Sequence, residues 1–413
     1  MSQNNNSDYF QNSFNLTNSL QGWTVQKLGA LVNVSTGRLD SNAAEVDGRY
    51  PYFTCAPLPL KINSYAFDCP AILLAGNNAN GIFHLNKYSG KFNAYQRTYV
   101  LTLKDDSILD FIFYSLKLYL KRLQSLSQGT ATKFLTKRII ETIPIALPKS
   151  LEEQQSIAKI LSDLDSKIEL NQKMNKTLES IAQSIFKHWF IDFEFPDKNG
   201  NPYKSSGGEM IYSEELGKEI PEGWSTASIT DLATFLNGLP LQKYPASKGE
   251  YYLPVIKIRE LNQGISESTD LANTDVPPNY VINDGDILFS WSGSLNVVIW
   301  GYGKGALNQH LFKVTSDKYP KWLYYQWLIH YLPKYIGIAQ DKATTMGHIQ
   351  RHHLSESVVV FPDAVILGRM NRTLEPIMER IVRIKIERRL LSQIRDSLLP
   401  KLMSGKIRVP QET

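Results

Sequence analysis

Two cysteines, Cys55 and Cys69, are all that this chain of 413 residues carries. That excludes a disulfide framework and a four-cysteine zinc site, and a pair of ordinary thiols fits a reducing compartment. Long apolar runs are missing as well, since no uninterrupted stretch reaches transmembrane length. The Asn-rich start MSQNNNSDYFQNSFNLTNSLQ has no basic region followed by an apolar one. Neither a membrane partner nor an export leader is therefore expected, and the chain is expected in the cytoplasm. Asn15-Leu16-Thr17 then matches a glycosylation sequon by chance. A strong excess of one charge is also lacking. A net charge of +5 and a pI near 8.8 permit a polyanion partner without demanding one, so any nucleic-acid site has to come from local clustering.

Catalytic signatures are absent too. No Gly-Lys-Ser/Thr marks a phosphate loop, and no His-Glu-x-x-His marks a zinc hydrolase. Asp275-Val276-Pro277-Pro278-Asn279-Tyr280 departs from the Asn/Asp-Pro-Pro-Tyr motif of adenine methyltransferases at Val276 and Asn279. Pro196-Asp197 is not followed by Asp/Glu-x-Lys at nuclease spacing, and the turn of Gly301, Gly303 and Gly305 has little diagnostic value alone. His348, His352 and His353 form a histidine cluster with no acidic or cysteine ligand beside it, which reads as a polar or phosphate-facing surface. No catalytic residue, metal ligand or cofactor is assigned to this chain.

What is present is a chain written twice. Gly22-Trp23 and LGALVNVSTGRL return as Gly223-Trp224 and DLATFLNGLPL. CPAILLAG parallels DGDILFSW, with Ile72 over Ile287, and KYSGKFNAYQRTYVL parallels GYGKGALNQHLFKV, with Gly90 over Gly305. GTATKFLTKRIIETIPIALP parallels ATTMGHIQRHHLSESVVVFP, with Pro148 over Pro362 and Phe134, Arg138 and Ile139 at the places of the three histidines. A period of about 200 residues is far beyond a solenoid repeat, so the unit is a whole domain plus a helix.

Each copy runs into a long helical segment. In the first, Ile157, Leu161, Leu164, Ile168, Asn171, Asn175, Leu178, Ala182, Ile185 and Trp189 alternate steps of four and three, the spacing of a coiled-coil seam. The two Asn weaken such a seam but fix its register. In the second, Leu374, Ile377, Ile381, Ile384, Leu391, Ile394, Leu398 and Leu402 step likewise, with Arg388 interrupting and Pro376 expected to kink or restart the helix. Acidic residues dominate the flanks of the first and basic residues those of the second, which favours the two as mates. The order domain, helix, domain, helix makes them antiparallel, giving a dumbbell with a pseudo-twofold axis. A bar of about 38 residues spans roughly 57 Å, enough for two heads to meet grooves about one duplex turn, or 34 to 36 Å, apart.

The globular halves read as mixed α and β. Strands are expected at AILLA from Ala71, TYVLTL from Thr98, LPVIKI from Leu253, DILFS from Asp286 and SVVVF from Ser357, and helices at SILDFIFYSLKLYLKRL from Ser107 and KWLYYQWLIHYL from Lys321. Lys91, Asn93, Gln96 and Arg97 lie between a glycine turn and a strand, and Lys304, Asn308, Gln309 and His310 lie likewise in the second half. Arg and Lys offer donors to phosphate or guanine, while Asn and Gln can pair with an adenine edge, so these eight are the candidate DNA-contacting residues. A polar turn capping a strand is the plainer reading of either stretch alone.

Three long motifs settle on one family. HWFIDFEFPDKNGNPYKSSGGEM from His188, ELGKEIPEGW from Glu215 and IRDSLLPKLMSGKI from Ile394 closely resemble the specificity subunit of type I restriction-modification systems. LPKSLEEQQSIAKIL from Leu147 and GKFNAYQRTYVL from Gly90 are weaker echoes, and the likeness covers nearly the whole chain. The resemblance implies an α+β fold: two globular target-recognition domains separated by two long antiparallel helices in a coiled coil, with an internal repeat. The expected parcels are 1–148 and 223–362 for recognition, 149–190 and 363–413 for the helices, and 191–222 as a linker. It also implies that each domain reads one half of a split double-stranded DNA target, while the helices set the gap and dock two methyltransferase subunits. Restriction subunits can be added, and S-adenosylmethionine, ATP and Mg belong to those partners. Unlike residues in the two halves imply an asymmetric target. The competing class is a two-headed scaffold or adaptor that binds no DNA.

Overall fold

The computed structural model describes residues 22–77, 83–104, 108–126, 135–246, 251–341 and 347–409. The sequon at Asn15 and the position of Phe134 lie outside them. The chain forms two compact units: residues 1–166 with 392–413, and residues 167–391. Each long helix therefore contributes one part to each unit. Among the described residues no helix is long and apolar enough to cross a membrane.

In the first unit six strands form one sheet. The order is Val32–Thr36, Thr98–Leu103, Phe67–Ala75, Leu85–Ala94, Tyr50–Phe53 and Leu60–Ile62, and the pairing of Tyr50–Phe53 with Leu85–Ala94 is parallel. A two-stranded ribbon pairs Trp23–Lys27 with Pro144–Pro148. Helix Leu109–Leu126 covers one face, and Phe111, Ile112 and Leu116 pack with Ile72, Leu74 and Leu101 of the sheet. The same core takes in Ile157 and Leu161 of the first long helix and Leu399, Leu402 and Met403 of the second.

The second unit repeats the ribbon, pairing Ser225–Ser228 with Val358–Phe361, but its sheet is divided. One part has the order Thr234–Asn237, Leu311–Thr315, Ile287–Ser290 and Asn296–Ile299; the other has Leu271–Asn273, Tyr252–Ile256, Gly305–Leu307 and Val281–Ile282. The long strand Leu85–Ala94 of the first unit thus has two short counterparts, Asn296–Ile299 and Gly305–Leu307, with residues 300–304 looping out between them. Helix Lys321–Asp341 continues through Pro333, because Tyr335 and Ala339 beyond it are buried in the unit's core. A third antiparallel ribbon joins Met210–Ser213 to Lys218–Pro221.

The first long helix runs Leu151–Phe186 and closes with the π-turn Lys187–Ile191. The second runs Ala364–Met403. Asp363 caps its start, its Oδ1 accepting from the backbone of Val365 at 2.7 Å and Ile366 at 2.9 Å. Gly405, at φ 67°, ends it in the left-handed conformation that glycine adopts without strain.

Pro376 does not restart this second helix, one of the two outcomes expected from the sequence; the helix runs unbroken through it. Buried Leu374, Met378 and Ile381 flank the proline, and their packing outweighs one missing backbone hydrogen bond. Of the expected pairing positions, Ile157, Leu161, Asn171, Asn175, Ile381, Ile384 and Leu402 are buried; Leu164, Ile168, Leu178, Ile185, Ile377, Leu391 and Leu398 are half-buried. Ile394 is exposed, and Met378, Leu399 and Met403 take up burial that the strict spacing did not assign. Within the first unit Glu153 pairs with Arg408 at 2.7 Å and Asp165 with Arg395 at 2.7 Å. Within the second, Lys167 pairs with Glu387 at 3.4 Å and Glu179 with Lys385 at 3.2 Å. In each unit the partner number falls as the first helix's number rises, so the paired segments are antiparallel, and three of the four bridges have the expected acid-first sense.

Candidate nucleic-acid interface

The candidate residues gather at one kind of turn, built twice on the same backbone. In the first unit the strand ending at Ala94 turns through Tyr95-Gln96-Arg97 into Thr98–Leu103. The turn is closed by the Thr98 N–H donating to the Tyr95 carbonyl at 2.8 Å. Tyr95 N–H donates to Phe53 O at 2.9 Å, Gln96 N–H to Leu39 O at 2.9 Å, and Gly76 N–H to Arg97 O at 2.9 Å. The second unit repeats every one of these bonds. Leu311 donates to Asn308 at 3.0 Å, Asn308 to Ile256 at 3.3 Å, Gln309 to Leu239 at 3.1 Å and Trp291 to His310 at 3.4 Å.

This correspondence shifts the alignment of the halves. Gly90 is the counterpart of Gly303, both at positive φ, rather than of Gly305. A close approach fixes each turn from beneath. A Cβ on Gly37 would lie 1.7 Å from the Ala94 carbonyl oxygen, and one on Gly238 would lie 2.2 Å from the Asn308 carbonyl oxygen. Only glycine lets the backbones approach this closely.

Equal backbones display unequal side chains. In the first unit Gln96 and Arg97 are exposed; Gln96 Nε2 donates to Asp40 Oδ1 at 2.7 Å, and the Arg97 guanidinium has no protein partner among the described residues. Tyr52 donates to the Asp40 carbonyl at 2.5 Å, and burial, with Asp40 and Tyr95 nearby, pushes its phenol up to about 12, so it stays a donor. Lys91 is exposed and sits over the Tyr65 ring at 4.6 Å; Tyr65 meets Tyr50 edge-on at 5.2 Å, and Arg49 lies 5.5 Å over Tyr50. These contacts make a basic and aromatic strip on the strands of the first unit.

In the second unit Gln309 accepts from Asn308 Nδ2 at 2.9 Å, and His310 Nδ1 is 3.0 Å from Ser292 Oγ. His310 Nε2 has no protein partner among the described residues. The His310 ring lies 5.9 Å from Trp291, which also meets Phe312 at 6.0 Å and His348 at 6.4 Å and whose indole N–H donates to Asn237 Oδ1 at 3.0 Å. Lys304 is exposed on the 300–304 loop.

Two of the eight candidates are not surface groups. Asn93 is 4% exposed, its amide donating to Ser64 Oγ at 3.3 Å and its Oδ1 accepting from the Ala94 backbone at 3.0 Å. Asn308 is 3% exposed and holds the turn from inside. Both are turned inward, Asn93 on the strand paired with Tyr50–Phe53 and Asn308 at the start of the second turn. The histidine cluster is divided as well: His353 Nδ1 accepts from Gln350 N–H at 3.0 Å and caps a short helix, whereas His348 joins the Trp291 group.

Trp291 was missed as a contact candidate, although the repeat carries a signal for it: CPAILLAG over DGDILFSW sets the smallest residue, Gly76, opposite the largest. Gly76 has no room for more, since a Cβ there would meet Tyr99 at 2.6 Å. The two turns present hydrogen-bonding groups, joined in the second unit by aromatic rings.

The family described as type I restriction modification DNA specificity domain matches residues 21–180 and again residues 221–394. The MjaIX specificity subunit of a type I restriction enzyme from Methanocaldococcus jannaschii is 30% identical over 321 residues, covering 75% of this chain and 71% of that protein. The EcoDI specificity subunit from Escherichia coli is 36% identical over 233 residues, or 52% of this chain and 50% of the relative. The crystal structure of a type I restriction-modification S subunit from M. genitalium matches with a TM-score of 0.59 and 17% identity, over 96% of this chain and 98% of that one, a likeness of fold.

Proposed function

The chain belongs to the type I restriction modification DNA specificity family, and from that premise we propose how its two units divide the reading of a split DNA target. The chain is a DNA specificity subunit, a recognition component and not a catalytic one. Membership disfavours the scaffold that binds no DNA. In our reading the turns at Gln96-Arg97 and Gln309-His310 each meet one half-site. Lys91 and Lys304 add phosphate contacts, and Trp291 adds an apolar face to the second turn.

The observation that supports this most is the repetition of one hydrogen-bonded turn in both units with different side chains, exposed in the first and half-buried in the second. A guanidinium suits the O6 and N7 of guanine, while an imidazole beside an indole suits a different edge. The target is therefore asymmetric. Residues 1–148 and 223–362 serve as the reading parcels, 149–190 and 363–413 as the spacer helices, and 191–222 as the linker. Two methyltransferase subunits dock on the helices in this reading, with restriction subunits joining them. S-adenosylmethionine, ATP and Mg reside on those partners, and the complex works in the cytoplasm.

The test is methylation sequencing of DNA treated with the assembled complex. Arg97→Ala relaxes the base preference at one half-site and His310→Ala at the other. Unchanged methylated motifs in both variants remove these turns from the reading surface.

A further inference from the structure

The second unit contains a connection between helix and reading turn that the repeat does not prepare for. Residues 300–304, which interrupt the strand, lie against the second long helix. Arg389 grips Asp284 with both nitrogens, Nη1 to Oδ1 and Nη2 to Oδ2, each at 2.9 Å. Asp284 Oδ1 also accepts the Gly303 N–H at 2.7 Å, so the guanidinium holds the loop's backbone through the carboxylate. One residue earlier, Arg388 donates to the Tyr302 hydroxyl at 3.0 Å and lies 5.9 Å over its ring. The Trp300 indole donates to Gly303 O at 2.6 Å and closes the loop on itself.

Space at this contact is tight. A Cβ on Gly303 would meet Arg389 at 2.8 Å, and one on Gly301 would meet Lys385 Cβ at 2.6 Å. The glycines are there because helix and loop nearly touch. Both members of the Arg389 and Asp284 pair are shielded, at 19% and 23% side-chain exposure, so water competes weakly for the fork.

The loop leads directly to the reading turn. Gly305–Leu307 follows it and pairs in parallel with Tyr252–Ile256; Asn308 begins the turn. In the first unit the corresponding strand passes Gly90 unbroken, paired to Phe67–Ala75 along nearly its whole length. The two helix anchors, Arg388 and Arg389, end three residues before Ser392, where the helix becomes part of the other unit.

We propose that Arg388 and Arg389 are positioning residues that latch the loop leading into the second reading turn to the spacer helix, so that the helix, acting with the strands that flank the turn, sets where that turn presents itself to DNA. The inference rests on reading Asn308–Leu311 as the contact turn. Such a latch governs which gap between half-sites is accepted, and it leaves base preference to Gln309 and His310.

The test uses the assembled methyltransferase complex on a DNA library randomised in the gap and in the second half-site. Arg389→Ala lowers methylation at the cognate gap by about tenfold and admits gaps one base pair longer or shorter, with second half-site bases unchanged. Arg389→Lys, which keeps the charge but loses the fork, falls between it and the parent and covers the case in which the alanine variant does not fold. Arg383→Ala, on an exposed residue of the same helix, leaves the gap profile unaltered. An unchanged gap profile in both Arg389 variants, or altered bases at a fixed gap, overturns the latch. Gln309→Ala and His310→Ala in the same library test the underlying reading separately: if they leave second half-site bases unchanged, the turn assignment fails whatever the Arg389 variants do.

Discussion

The two reading turns share every backbone hydrogen bond that shapes them, yet one is carried on an unbroken ten-residue strand and the other on a strand cut in two. The first turn is therefore stiffened by its own sheet, with Leu85–Ala94 paired on both sides. The second follows a short strand, Gly305–Leu307, that is also paired on both sides, and adds support from the helix through Asp284, Tyr302 and the close approach at Gly301 and Gly303. A duplicated fold has kept the path of one turn and changed part of what holds it. What has to be the same is the path of a few peptide groups; what can vary is the source of their rigidity.

That comparison breaks most sharply at the glycines beneath the turns. Gly37→Ala forces a Cβ into the Ala94 carbonyl, and we expect a loss of about 3 kcal/mol in the first unit, together with loss of the first half-site from the methylated motif. Gly238→Ala does the same to the second. Thermal unfolding and methylation sequencing check both, and tolerance of alanine at one position alone would show that the turns are not equivalent.

Next in size is the anchor of the first unit's helices. Asp165 accepts from Arg395 at 2.7 Å and from the Tyr114 hydroxyl at 3.0 Å, with Lys117 at 3.4 Å. Burial alone would raise this carboxyl, but Lys117, Arg395 and Tyr114 together hold it below the ordinary carboxylate range. Its contribution is complete above the unfolded-state value and is lost as pH falls through the depressed one. Asp165→Asn should cost about 2 kcal/mol at neutral pH, and the gap in Tm between variant and parent should close below about pH 4. A constant gap down to pH 2 would mean that the carboxylate is not the anchor.

Arg97→Ala should lose about 1.5 kcal/mol of base discrimination at one half-site and reduce the salt dependence of binding, without lowering Tm. The smallest effect belongs to the seam of the second unit. Asn171 and Asn175 are 1% and 5% exposed, and their Nδ2 groups, with Oδ1 of Asn175, have no partner among the described residues. Replacing both with Leu should raise stability by about 1 kcal/mol while weakening the register they specify, checked by Tm and by the breadth of accepted gaps.

Much of this was legible before any coordinates. The expected strands at Ala71, Thr98, Leu253, Asp286 and Ser357 all lie in or across observed ones, and the seam of Ile157, Leu161, Asn171 and Asn175 is buried as its spacing implied. The eight contact candidates were less secure. Gln96, Arg97, Gln309 and His310 stand at the turns with their side chains at least partly accessible, whereas the side chains of Asn93 and Asn308 are buried. A polar residue next to a turn looks the same in sequence whether water or another strand lies above it.

The sequence by itself determined the duplication, the two helices and the antiparallel sense of their pairing, because periodicity and order are properties of a single chain read along its length. Tertiary structure decided which amides face inward, that Pro376 and Pro333 stay within helices, and that Arg388, apparently an interruption of the seam, instead reaches the reading lobe. Those outcomes depend on what packs against each residue from elsewhere, and burial by a distant segment has no local signature.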